Sequence, residues 1–252
     1  MSTAASASLS HHDPALLGQT VVIIGGSAGI GLATARQARA EGADVILTGR
    51  DPDRLRSAAA DVDALSTAAF DANDPGSLKR FFQGLPELID HVMVTAGRPS
   101  YGRLLDMDSD QARRALSDHM LLPLDVARHA VGRVRPGGSL LHMGGTGARR
   151  IRPDLGSAPA VTAALPALTA SLALELAPIR VNLIAAGFVD TPLSAGLLGE
   201  GLDDRREELR ATLPIGRVVG PADVAALAVH IMTNTALTGA TYDIDGGQQF
   251  LG

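Results

Sequence analysis

The residues able to move protons or attack electrophiles are few in this 252-residue chain. It has no cysteine, so thiolate nucleophiles, disulfides and Cys-based metal sites are excluded together. It has two tyrosines, Tyr101 and Tyr242, and one lysine, Lys79. Residue 105 is leucine and residue 246 is glycine, so no Tyr-x-x-x-Lys pair exists. No His-Glu-x-x-His helix, P-loop or Gly-x-Ser-x-Gly nucleophile elbow is expected, and His11-His12 lacks companion ligands at metal-site spacing. No metal site is expected. His119 is the best general acid or base available, because imidazole changes charge near neutrality. Thr146, in Gly144-Gly145-Thr146-Gly147, is able to orient a carbonyl but is a poor proton donor. His119 as a hydrogen-bonded helix histidine and Thr146 as an ordinary loop residue stay open as alternatives.

The stretch that must position this chemistry is Val21-Val22-Ile23-Ile24, followed by Gly25-Gly26-Ser27-Ala28-Gly29-Ile30-Gly31 and an Ala-rich helical run. A buried β-branched strand turning through glycines into a helix presents backbone N–H groups and a positive dipole end to an anion. A tight turn without ligand is the alternative. Downstream, strand-like and helix-like segments alternate, which predicts an α/β fold: a doubly wound, seven-stranded parallel sheet with helices on both faces, the Rossmann fold. Strands are predicted near 20–24, 44–48, 66–70, 91–95, 139–143, 180–184 and 241–244. Helices are predicted near 29–41, 51–60, 74–82, 109–134, 158–176, 203–211 and 221–233. Pro123 and Pro166 raise the expectation of local kinks. Residues 1–17 read as a disordered leader and 18–252 as one domain.

Composition narrows the function classes. Apolar residues make up 46% and aromatics 3%, so the core is aliphatic. A net charge of −5 argues against nucleic-acid and anionic-membrane surfaces. No membrane span or signal peptide is read, which makes the cytoplasm the expected address.

The second strand ends at Leu47-Thr48-Gly49-Arg50-Asp51. In dinucleotide folds an acid here meets the ribose hydroxyls of NAD, whereas an arginine pairs with the 2′-phosphate of NADP. Gly49 followed by Arg50 therefore favours NADP(H) over NAD(H). A solvated surface arginine is the alternative.

These motifs, in order, resemble the short-chain dehydrogenase/reductase family over essentially all of the chain after residue 17. Gly25-x-x-x-Gly29-x-Gly31 matches its glycine motif, with Ile24 in place of threonine. Phe70-Asp71-Ala72, Thr95-Ala96-Gly97, Leu172–Asn182, Gly187–Pro192 and Asp245-Gly246-Gly247 resemble further family signatures. The resemblance implies cofactor contacts from Gly25, Ser27, Ala28, Gly29, Ile30, Gly31, Arg50, Asp71, Ala72, Thr95, Ala96, Gly97, Gly187, Val189 and Thr191. It also implies a small-molecule carbonyl or alcohol substrate and a homodimer or homotetramer. The apolar helix 158–176 agrees with such an assembly, since its outer face needs cover from a second copy or from the segment Ser194–Arg206.

The match fails at the chemistry. The family's proton donor is a tyrosine tuned by a lysine four residues on, with a serine orienting the carbonyl and an asparagine holding a relay water. Those positions fall on Ala158, Thr162, Gly145 and His119. Arg149, Arg150 and Arg152 favour an anionic substrate if they face the cleft, and Tyr101 edges it or merely packs. His142 is expected to be a satisfied core histidine. Two functions stay open: an NADP(H)-dependent oxidoreductase with an atypical proton donor, and a catalytically degenerate dinucleotide-binding protein.

Overall fold

A computed structural model describes residues 14–251. Its elements run β1 Thr20–Ile24, α1 Gly29–Ala40, β2 Asp44–Gly49, α2 Pro52–Val62, β3 Ser66–Ala69, α3 Pro75–Gly84 and β4 Ile89–Val94. They continue with α4 Ser109–Leu116, a π turn Ser117–Leu121, α5 Leu122–Ala130, β5 Val134–Gly145, α6 Ala158–Glu175 and β6 Arg180–Ala186. The last elements are α7 Pro192–Leu198, α8 Leu202–Thr212, α9 Pro221–Thr233 and β7 Thr241–Ile244. The seven strands are all parallel, in the order β3-β2-β1-β4-β5-β6-β7. The order reverses between β1 and β4, which opens a crevice beyond their carboxyl ends.

Strand periodicity divides the core into two layers. Val21 and Ile23 point to one face, with Ala35, Ala38, Leu55, Val224 and Ala228 of α1, α2 and α9. Val22 and Ile24 point to the other, with Phe82, Val126 and Leu172 of α3, α5 and α6. Each fully buried Val or Ile contributes about 1.5–3 kcal/mol, and β1 is buried on both faces as a central parallel strand requires.

Several expectations are corrected. Leu16 is fully buried in the first core layer, so residues 14–17 belong to the fold and not to a leader; residues 1–13 lie outside the described residues. The helix expected over 109–134 ends at Ala130 and carries the π turn Ser117–Leu121 between α4 and α5. Pro123 has no N–H for the carbonyl four residues back, and the chain widens so that the Leu122 N–H reaches the Ser117 carbonyl. Pro166, by contrast, leaves α6 continuous.

Helix α6 is long and apolar enough, by length and composition, to cross a membrane, although no span is read from the sequence. It lies along the sheet and buries Val161, Leu165, Thr169 and Leu172, while Leu174 is 83% exposed. The segment 194–206 is not given over to covering that face, because Leu197, Leu198 and Arg205 line the cleft.

His142 is buried as expected, but neither ring nitrogen has a hydrogen-bond partner among the described residues. Burial pushes its pKa down to about 4. Arg180 is marked by the sequence only as the start of a strand. Its guanidinium is buried and donates to the Ile231 and Met232 carbonyls at 2.8 and 2.7 Å, closing the C-terminal end of α9.

Candidate active site

The crevice at the carboxyl ends of the strands is a cleft of about 730 Å³. Its first wall is the β1–α1 turn. Gly25 has φ +99°, and a Cβ there would lie 2.7 Å from the Ala96 nitrogen. A Cβ on Gly31 would lie 2.3 Å from the Gly25 carbonyl oxygen. These two glycines are therefore required for the turn to close against β4. Thr95 holds it there, its hydroxyl donating to the Gly25 carbonyl at 3.0 Å.

The start of α1 fits a pyrophosphate. Ala28 is its N-cap and offers no side-chain acceptor, and the first turn contains no acidic residue. The N–H groups of this turn and the dipole end face the cleft, which Ala28, Gly29, Ile30 and Gly31 line. Thr191 stands opposite, with its Cβ 3.5 Å from the position a Gly29 Cβ would take. Thr191 also caps α7 through a reciprocal pair with Ser194.

Not all of the expected cofactor residues line this cleft. Thr95, Ala96, Gly97, Gly187 and Val189 do. Ser27, Arg50, Asp71 and Ala72 do not; they cluster toward the ends of β2 and β3. A Cβ on Gly49 would lie 3.0 Å from the Ser27 hydroxyl, so Ser27 packs on the residue that precedes the exposed Arg50. Asp71 accepts the Asn73 N–H at 3.0 Å, and Ala72 is buried in the second core layer. The pattern Gly25-x-Ser27-x-Gly29 does have elbow spacing, contrary to the expectation above. Ser27 packs on Gly49 and not beside His119, so the pair an elbow needs is not assembled.

The opposite wall carries the reacting end. His119, Gly145, Thr146, Ala158 and Thr162 all line it. The four positions that the resemblance assigns to the chemistry, Ala158, Thr162, Gly145 and His119, thus line one cleft. Thr162 is committed: its hydroxyl donates to the Ala158 carbonyl at 2.8 Å and accepts the Ala148 N–H at 3.0 Å. His119 Nδ1 lies 3.0 Å from the Ala115 carbonyl oxygen. A carbonyl only accepts, so Nδ1 carries the proton and Nε2 is the ring atom left for a ligand. Thr146 begins the 3₁₀ turn Gly147–Arg149, its N–H held by the Ala186 carbonyl at 3.0 Å.

Two further loops line the cleft. Gly102 pairs with Leu155, the Gly102 N–H reaching the Asp154 carbonyl at 2.8 Å. Tyr101 lines the cleft, 54% exposed, and partial burial raises its phenol pKa. Of the three arginines, Arg150 and Arg152 line the cleft, whereas Arg149 turns away onto Asp243 at 2.8 and 3.1 Å.

Gln248 and Arg205 are not signalled by the sequence. Gln248 Oε1 accepts the Phe188 N–H at 2.8 Å and sets the loop after β6. Arg205 stands 6.0 Å over the Phe188 ring. No motif marks either residue.

Comparison with known proteins agrees with this architecture. A family model described as Enoyl-(Acyl carrier protein) reductase matches residues 25–249. A short-chain dehydrogenase/reductase of Stachybotrys chlorohalonatus is 30% identical, over 93% of this chain and 98% of its own. An NADP-dependent (R)-specific alcohol dehydrogenase of Lentilactobacillus kefiri is 28% identical, over 92% and 97%. A small-chain dehydrogenase solved in complex with NADPH superposes with a TM-score of 0.79 at 28% identity, over 92% of this chain and 99% of that one. The switch-point cleft, the glycine turn and these matches agree: the chain belongs to the short-chain dehydrogenase/reductase family, oxidoreductases built on a Rossmann sheet.

Proposed function

We propose that this protein is an NADP(H)-dependent oxidoreductase acting on a carbonyl/alcohol pair, with His119 delivering the proton. The observation that carries the reading is one cleft lined both by the uncapped start of α1 and by His119. Bound there, the dihydronicotinamide supplies hydride to a carbonyl carbon. The α1 N-terminus and Thr191 hold the phosphates, and the loop 187–191 orients the nicotinamide end. As the substrate oxygen gains charge, the His119 imidazolium gives it the Nε2 proton, while Nδ1 stays on Ala115 and fixes the ring. Thr146 orients the oxygen.

NADP(H) is favoured over NAD(H) by Arg50 after β2. The NADP-dependent relative and the NADPH-bound neighbour point the same way. The exposed apolar face of α6, which runs from Ala160 through Ala163, Ala167 and Ala170 to Leu174 near its C-terminal end, supports a homodimer or homotetramer, which light scattering would measure.

Fluorescence titration with NADPH and NADH, followed by a carbonyl panel read at the nicotinamide absorbance, tests the reading. Tighter NADPH binding with turnover that His119→Ala removes is expected. The replaced residues favour one alternative, a nucleotide-binding protein without turnover, because Gly145 and Ala158 carry no hydroxyl and that of Thr162 is engaged. NADPH binding with no oxidation by any carbonyl would favour that second reading.

A further inference from the structure

We infer that the substrate of this cleft bears an anionic group, a carboxylate or phosphate, seated on Arg152 and Arg205. The inference rests on the proposed carbonyl chemistry and names the class of compound. The chain as a whole carries −5, yet the charged side chains lining the cleft are Arg150, Arg152 and Arg205 against Asp154. A cationic cleft in an anionic protein concentrates and orients anions.

Arg152 and Arg205 combine a place on the cleft with ion pairs made through one nitrogen, which distinguishes them from the arginines locked by two nitrogens. Arg149, Arg206 and Arg217 each grip one carboxylate with two nitrogens, on Asp243, Asp190 and Asp223, and none lines the cleft. Arg152 instead meets Asp154 through one nitrogen at 3.0 Å, and Arg205 meets Glu208 through one at 2.6 Å. A guanidinium has five donors in a planar fork, so each retains donors suited to an incoming oxyanion. The two come from different segments, Arg152 from the loop after β5 and Arg205 from α8. Arg152 shares its loop with Leu155, which pairs with Gly102 of the loop after β4. An anion on that loop is held by side chains, whereas the pyrophosphate seat is the uncapped start of α1.

The test is saturation-transfer NMR on the full chain, with and without NADPH, using matched pairs. Suitable pairs are acetoacetate and methyl acetoacetate, 4-carboxybenzaldehyde and its methyl ester, and dihydroxyacetone phosphate and dihydroxyacetone. At least one anionic member is expected to bind ten-fold or more tighter than its neutral twin, with the carboxylate and phosphate pairs showing which oxyanion fits. The preference should vanish in Arg152→Gln/Arg205→Gln, persist in the surface control Arg128→Gln, and weaken with salt in the wild type. The salt series tests the inference even where the double variant does not fold. Equal binding within every pair, absence of binding by every anion, or a preference that survives the double variant overturns it. NADPH failing to bind removes the nucleotide reading alone, since the cofactor-free arm still reports on the anion seat.

Discussion

Pro123 lies four residues after His119 and has no N–H to offer the His119 carbonyl, and at this place the central helix widens into the π turn Ser117–Leu121. His119 lies within this turn and lines the cleft, with its ring anchored by Ala115. A single proline thus accompanies a backbone irregularity at the histidine that, among the described residues, lines the cleft.

Replacing His119 with alanine should lower turnover by ~100- to 10,000-fold, the usual contribution of general acid catalysis, while NADPH affinity is unchanged. Steady-state rates and a fluorescence titration of both proteins check this.

Replacing Arg50 with glutamate should reverse cofactor preference. Loss of a charge-assisted pair with the 2′-phosphate costs about 1.5–3 kcal/mol before solvent screening, so a fall of about ten-fold in NADPH affinity is expected at this exposed site. NADH affinity should hold or rise in the same fluorescence titration.

Gly31→Ala should unseat the β1–α1 turn, since the new methyl would meet the Gly25 carbonyl at 2.3 Å. Gly29→Ala meets nothing nearer than 3.5 Å but must hold φ +54°. The first variant should lose several degrees of thermal stability together with nucleotide binding. The second should lose mainly binding.

His142 makes stability depend on pH. Its folded pKa, about 4, lies below the ordinary 6.5, so the unfolded chain takes up the proton first. Stability is fully present above about pH 6.5, the unfolded value, and is lost as pH falls toward 4, by on the order of 3 kcal/mol. His91, buried between Gln19 and Ser139 with its pKa pushed to about 3, adds a similar slope. His142→Leu removes two unpartnered nitrogens and should flatten the part due to residue 142, as denaturant unfolding at pH 7 and pH 5 would show.

The sheet is legible in the sequence because parallel strands buried on both faces leave unbroken β-branched runs such as Val21–Ile24, and glycines at forced dihedrals mark the turn that follows. The glycine turn that lines the cleft is legible for the same reason: backbone geometry at Gly25 and Gly31 constrains residue type. The short helix Pro192–Leu198 escapes a reading by pattern although Thr191, Pro192 and Ser194 form a capping signal. Seven residues are too few for periodicity to register. Arg180 and Gln248 are illegible in kind, since each acts on carbonyls or N–H groups some fifty to sixty positions away. His119 stands out by its type, but the atom it offers depends on Ala115 and on the turn at Pro123.

The most direct measurement is a crystal structure of the protein with NADP⁺. The account predicts the pyrophosphate on the N–H groups of Gly29–Gly31, the 2′-phosphate near Arg50, and the nicotinamide carbon facing the space into which His119 Nε2 opens. A cleft that excludes the dinucleotide, or a tyrosine from a second copy standing over the nicotinamide in place of His119, would contradict it.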